Sequence, residues 1–197
     1  MRPFNPEKVP APTNKIDFAR ANVFPHVDLE IGCGVGRFAI RRASSHGDHA
    51  VIAVEKTVER FGKFETRVRN HPPLTNLFPV HAEAASFVTH CIPEGSLDAI
   101  FILYPNPYPK HKQANLRWYN RAFMGFLLKR LKQGGTLTLA TNIADYREEA
   151  VASFLDVWNL KCLEDRKIAP NETPRTHFEK KYLLRDEDCW NLVFQLT

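Results

Sequence analysis

Four residues at alternate positions, Glu30, Gly32, Gly34 and Gly36, place a carboxylate directly before a run of three glycines. Glycine admits positive φ and lets the backbone approach a ligand more closely than any side chain would permit. A nicotinamide fingerprint would carry its third glycine one place later, where this chain has Arg37. The acid ahead of the turn suits a cationic amino-acid moiety better than a pyrophosphate. Glu55 follows about 20 residues on, the position from which an acid accepts ribose hydroxyls. Glu83 stands where it could reach an adenine edge, or where it could simply be a helix-start acid favoured by the dipole. The order of acid, glycine turn and second acid points to a nucleoside site.

A second constellation is Tyr104-Pro105-Asn106-Pro107-Tyr108-Pro109-Lys110. Alternating prolines fix φ and stiffen the segment. Such a loop can hold Asn106 toward a reacting group and Tyr108 for stacking on a base; it can also merely end a strand. No acid lies between Asp98 and Asp145, while Lys110, Lys112, Arg117, Arg121, Lys129, Arg130 and Lys132 fall inside that window. With a net charge of +5, this block suits a polyanion, although a solvated helix face would look the same.

These residues need elements to position them. Val27 to Ile31, Ala50 to Val54, Leu77 to Val80, Leu97 to Leu103 and Thr136 to Ala140 read as strands, the fourth as one buried on both faces. Between them, helical spacing runs from Phe38 to Ala43, from Thr57 to Arg69, from Ala82 to His90 and from Leu116 to Leu131, the last ended by Gly134-Gly135. Asp145 to Trp158 is a further amphipathic helix, and Trp190 to Leu196 a final strand. Strands alternating with helices predict an α/β fold with a mostly parallel, doubly wound Rossmann-like sheet and an antiparallel C-terminal strand.

Length and composition agree with one such domain. The 197 residues are 44% hydrophobic and 25% charged, so a disordered chain is excluded, and no apolar run reaches the roughly 18 residues of a membrane span. Residues 1–24, polar and carrying Pro3, Pro6, Pro10 and Pro12, predict an irregular arm before a domain over 25–197. They lack the apolar stretch of a secretory signal, which predicts a cytoplasmic protein. Cys33, Cys91, Cys162 and Cys189 show no metal spacing, so reduced thiols and no metal are expected.

Taken together, the glycine motif with Glu30, the strand-end Glu55, the proline loop with Lys110, Thr141-Asn142 and Thr176-His177-Phe178-Glu179 resemble the tRNA guanine-N(7) methyltransferase family over roughly Asp28 to the C-terminus. The resemblance implies a class I methyltransferase domain using S-adenosyl-L-methionine and acting on RNA, with tRNA as partner, as a monomer or homodimer. It implies that Glu30, Glu55 and Glu83, with Gly32, Gly34, Gly36 and Asn106, hold the cofactor. Lys110, Thr176 and Glu179, joined by Tyr108 and Asn142, would face the substrate, and Asn106 and Asn142 would be catalytic. The chain departs from the family's pattern where Asp-Pro-Trp becomes Asn106-Pro107-Tyr108 and Thr-Asp becomes Thr141-Asn142, so two carboxylates become amides. Three readings follow: an RNA methyltransferase, with the family's target base or an altered one; a methyltransferase of small molecules or exocyclic amines; and a silent RNA- or protein-binding paralogue.

Overall fold

Two-residue periodicity of the strands builds the frame. A computed structural model describes residues 3–197. The strands are β1 (His26–Ile31), β2 (His49–Glu55), β3 (Leu77–His81), β4 (Leu97–Leu103), β5 (Leu131–Thr141), β6 (Lys161–Lys167) and β7 (Trp190–Gln195). They form one sheet in the order β3-β2-β1-β4-β5-β7-β6. The first five run parallel; β7 lies antiparallel to both β5 and β6. Along β2, Ala50, Ile52 and Val54 point into one core, and Val51 and Ala53 into another on the opposite face. Both faces are therefore covered, as the apolar runs predict. The winding reverses between β1 and β4, which opens a crevice at their carboxyl ends.

Helices α1 (Phe18–Ala21), α2 (Arg37–Ser45), α3 (Val58–Arg69), α4 (Ala84–Cys91), α5 (Phe123–Leu128), α6 (Ala144–Ala152) and α7 (His177–Leu183) complete the chain. The stretch expected to be irregular carries α1 and a 3-10 turn at Pro6–Lys8, and it is packed down. Phe4 meets Phe123 and Phe126 at centroid distances of 5.2 and 4.9 Å, and Ser86 Oγ donates to the Pro10 carbonyl. Met1 and Arg2 lie outside the described residues. Among the described residues no helix is long and apolar enough to cross a membrane.

Three expectations fail in detail. The single helix over 116–131 is replaced by 3-10 turns at His111–Leu116 and Trp118–Asn120 and then the short α5. Tyr119 is the cause: it is buried, and its carbonyl accepts from both Ser153 Oγ and Trp158 Nε1. Gly134 and Gly135 do not end a helix; they sit inside β5 as an irregularity, with Gly134 at φ 77° donating to the Leu196 carbonyl. The polar segment before the last strand contains β6 and α7. β6 reads Lys-Cys-Leu-Glu-Asp-Arg-Lys, a charged edge strand whose exposure defeats any apolar pattern.

Gly36 joins the frame to the crevice. It precedes α2 at φ 73°, and a Cβ there would stand 1.9 Å from Cδ2 of the buried Phe64. Gly36→Ala is expected to cost about 2–4 kcal/mol in denaturant unfolding, combining overpacking with left-handed strain. The contrasting substitution is Gly62→Ala, in α3 with open space around its Cβ, which is expected to stabilise by about 0.5–1 kcal/mol.

Candidate active site

At the end of β1 the chain turns through Gly32, Gly34 and Gly36 at φ 75°, 58° and 73°. Nothing lies within 4 Å of a Cβ built on Gly32 or Gly34, so side chains there would enter open crevice space. The turn is tied to the next strand by a carboxylate. Glu55 Oε2 accepts from the Gly34 amide at 2.9 Å, and its Oε1 accepts from the Thr57 amide at 2.7 Å. Each oxygen retains lone-pair capacity beyond its backbone bond.

Glu30 is buried, and its Oε2 has no hydrogen-bond partner in the protein. Burial is the main force pushing its carboxyl from the ordinary 4.5 to about 8, with the Glu55 charge adding and an Ala39 amide hydrogen bond opposing. At neutral pH the group is therefore mostly a neutral acid awaiting a cation. Beside it, burial, Glu30 and Glu55 all push the Cys33 thiol upward, so no thiolate nucleophile forms there.

Two adjoining cavities of about 430 and 400 Å³ share Gly32, Arg60, Leu103 and Phe178 in their walls. The first also meets Glu55, Glu83 and the 104–108 loop; the second meets Glu30, Gly34 and Thr176. Arg60 lies over the Phe178 ring, 5.7 Å from its centroid, where the two cavities meet. Arg60, on a basic helix, carries no sequence signal of this place, and Tyr104 heads the proline loop without a role that its spacing reveals. That residue adopts φ 53°, stacks obliquely on Tyr182 and donates its hydroxyl to Glu179 Oε2 at 2.7 Å. Burial, reinforced by the Glu179 charge, drives its phenol far upward, so it is a fixed donor. Its left-handed backbone, immediately after an apolar strand, has no side-chain signature.

With this geometry in place, comparisons with known proteins are decisive. A family model described as "Putative methyltransferase" matches residues 25–192. A tRNA (guanine-N(7)-)-methyltransferase of Nitrosomonas eutropha is 30% identical over 167 residues, covering 84% of this chain and 74% of the relative. One from Geobacter metallireducens is 34% identical over 152 residues, covering 77% and 70%. The chain belongs to the tRNA (guanine-N(7)-)-methyltransferase family. Among solved structures, the 16S rRNA methyltransferase KamB superposes with a TM-score of 0.68 at 15% identity, over 94% of this chain and 95% of that one, which establishes the shared class I methyltransferase fold.

Measured against the methyltransferase pattern, the remaining residues divide. Glu83 is exposed on the cavity wall and caps α4 by accepting from the Ser86 amide, as its helix-start reading expects. Asn106 is exposed at the cavity, with its carbonyl accepting from the Tyr108 amide at 3.1 Å in a side-chain turn; Tyr108 itself sits at φ 45°. Lys110 is exposed beyond the cavity wall. Thr176 caps α7 through the Glu179 amide and lines the second cavity. Glu179 departs from the expectation of substrate contact. It is buried, and its oxygens are taken by the Arg175 amide and guanidinium and by Tyr104, so it braces the wall rather than facing the crevice.

Asn142 also stands apart from both cavities and donates to Glu187 Oε2 at 2.7 Å. A carboxylate thus remains at the end of β5, carried by the segment before β7. The signal was present in the sequence only as an unremarkable acid.

A carboxyl raised on folding stabilises the native state below its ordinary value, and this contribution is lost as pH rises through about 8. Relative to Glu30→Gln, the parent is expected to lose stability between pH 5 and 8, by up to roughly 1.4 kcal/mol per pH unit. Denaturant unfolding of both proteins across that range reads the difference. Parallel pH profiles would show that Glu30 is ionised throughout.

Proposed function

We propose that the chain is an S-adenosyl-L-methionine-dependent RNA methyltransferase that acts on tRNA guanine. The observation that carries this reading is Glu30: a buried acid with an unpartnered oxygen on a cavity whose floor is bare glycine backbone. A group bearing both a cation and a ribose fits that donor set. When bound, S-adenosylmethionine supplies an electrophilic methyl whose bond to sulfur breaks as a bond to the base nitrogen forms.

The chain's own residues bind and orient. Glu30 ionises on meeting the ligand's cationic amino-acid end, which offsets the cost of burying its charge. Glu55, already held by two amides, presents its remaining lone pairs to the ribose hydroxyls, and Glu83 faces the adenine edge. Gly32 and Gly34 leave room for the ligand against the backbone. Asn106 keeps its side-chain NH₂ free while its carbonyl shapes the loop, and Tyr108 offers a ring for stacking on the target base. Guanine N(7) carries an exposed lone pair, so the step needs alignment rather than a general base. Asn142 and Glu187 pair at the end of β5 outside both cavities, so neither is assigned a contact with the base.

The RNA backbone has a path beside this site. Arg37 borders the second cavity and also an open cleft of about 510 Å³ that includes Arg41 and Arg67. Lys110 and Lys112 extend positive charge from the proline loop, on a chain that meets the cytoplasmic tRNA pool under this reading.

Incubation with labelled S-adenosylmethionine and total tRNA, followed by nucleoside mass spectrometry, is expected to yield 7-methylguanosine; methylation confined to another base would redirect the target, and none at all would overturn the reading. Calorimetry with S-adenosylhomocysteine is expected to show Glu55→Ala weakening binding about tenfold or more, roughly 1.4 kcal/mol. Affinity for tRNA should fall steeply with ionic strength through phosphate contacts, a dependence that a small-molecule enzyme would lack.

A further inference from the structure

The opposite end of the sheet from the crevice holds a second constellation that the proposed reaction does not use. His26 and His49 open β1 and β2 and are direct partners across the two strands. Their ring centroids are 4.6 Å apart with planes inclined by 32°. Asp48 immediately precedes His49. One donor atom from each of His26, Asp48 and His49 lies within 4.8 Å of the other two.

What stands behind the two imidazoles separates this group from a chance surface cluster. His49 Nδ1 lies 2.8 Å from Asp28 Oδ2, a buried carboxylate also held by Arg42 Nε at 2.8 Å. A carboxylate only accepts, so the proton sits on Nδ1, and this contact outranks the 3.4 Å approach of Arg42 to the same nitrogen. In the neutral ring the lone pair is then on Nε2, 4.0 Å from Asp48 Oδ1. His26 repeats the arrangement more loosely: its Nδ1 is 3.4 Å from Asp98 Oδ1, and Asp98 is anchored by the Val27 amide and Lys132. Imidazoles that ligate metals characteristically give their other ring nitrogen to a carboxylate or carbonyl, which fixes tautomer and ring orientation.

Charge is arranged to the same end. Asp28 is paired with Arg42 and Asp98 with Lys132, whereas Asp48 has no lysine or arginine ion-pair partner among the described residues. We propose that His26, Asp48 and His49 bind one divalent transition metal, zinc by donor type, with water at the fourth position. Two imidazoles and a carboxylate match zinc's borderline preference, and tetrahedral coordination needs donor separations of about 3.4 Å. The side chains that must close that gap are the free ones. Those of Asp48 and His26 are 61% and 46% exposed, while that of His49, already oriented, is 16% exposed. The metal joins the leading ends of β1 and β2, so it acts on stability rather than on the crevice.

The test uses the full chain without an affinity tag, stripped with chelator and titrated with zinc chloride by calorimetry, beside His26→Asn and Asp48→Asn. Asp48 is exposed and His26 half-buried at the start of β1, and far-ultraviolet circular dichroism verifies the fold of both variants. One zinc per chain is expected, with affinity about tenfold or more weaker in each variant. Zinc should raise the parent's Tm and leave the variants' nearly unmoved, and cobalt should give the visible bands of a four-coordinate site in the parent alone. No binding heat in the parent, or equal affinity in both variants as from cysteine binding, would overturn the proposal whatever the methylation assay shows.

Discussion

The crevice depends on how one carboxylate is shared. Glu55 accepts from the amides of Gly34 and Thr57, and so links the turn that leaves β1 to the turn that leaves β2. That tie joins the bonds from the Gly32 and Cys33 amides to the Val54 carbonyl and from the Gly36 amide to the Cys33 carbonyl, which together order a turn at three left-handed φ angles whose glycines lose more backbone freedom than any other residue. Gly36 adds a second constraint by fitting its bare α-carbon against Phe64, which sets how α2 leaves the turn. Glu30 is exposed to the consequence. The packing that makes the turn rigid also removes water from its carboxyl, leaving it neutral at rest and responsive to a cation.

A separate polar network holds the opposite wall. Arg175 binds both oxygens of the buried Glu179 and donates to Asn191 of β7, while Tyr104 donates to Glu179 from the end of β4. The Arg175 guanidinium holds the Glu179 carboxyl below the usual range despite burial. Buried ion pairs contribute little net stability when desolvation is counted, but removing one partner strands a charge and is costly. Such a network therefore serves position: it fixes the proline loop, α7 and the last antiparallel strands as one wall facing the glycine turn.

The two ends of the sheet thus carry different chemistry for a common reason. In a parallel arrangement all carboxyl ends face one way, so the turns after β1, β2, β3 and β4 converge on the crevice, and the residues that begin those strands converge at the far end. His26 and His49 are neighbours only through strand register, although they stand 23 positions apart in the chain.

Much of this was legible from residue order alone, because five apolar runs and one glycine turn obey local rules. A strand buried on both faces reads as a near-continuous apolar run, as Ala50–Val54 of β2 and Ala99–Leu103 of β4 do, whereas β1 buries Asp28 and Glu30 among its apolar residues. Edge positions obey no such rule: β6 is charged because water covers it, and α7 is a short turn of helix capped by Thr176 and held by contacts from elsewhere. The roles of individual acids were the least legible. Glu30, Glu55, Glu179 and Glu187 are the same residue type in the sequence, yet one keeps an unpartnered oxygen, one ties two turns, one is locked by arginine and one faces an asparagine. The sequence by itself determined the parallel strands, the glycine turn and the family, since these rest on short-range spacing. Only the tertiary structure decided which carboxylates remain available to a ligand, because desolvation and hydrogen-bond partners come from residues distant in the chain.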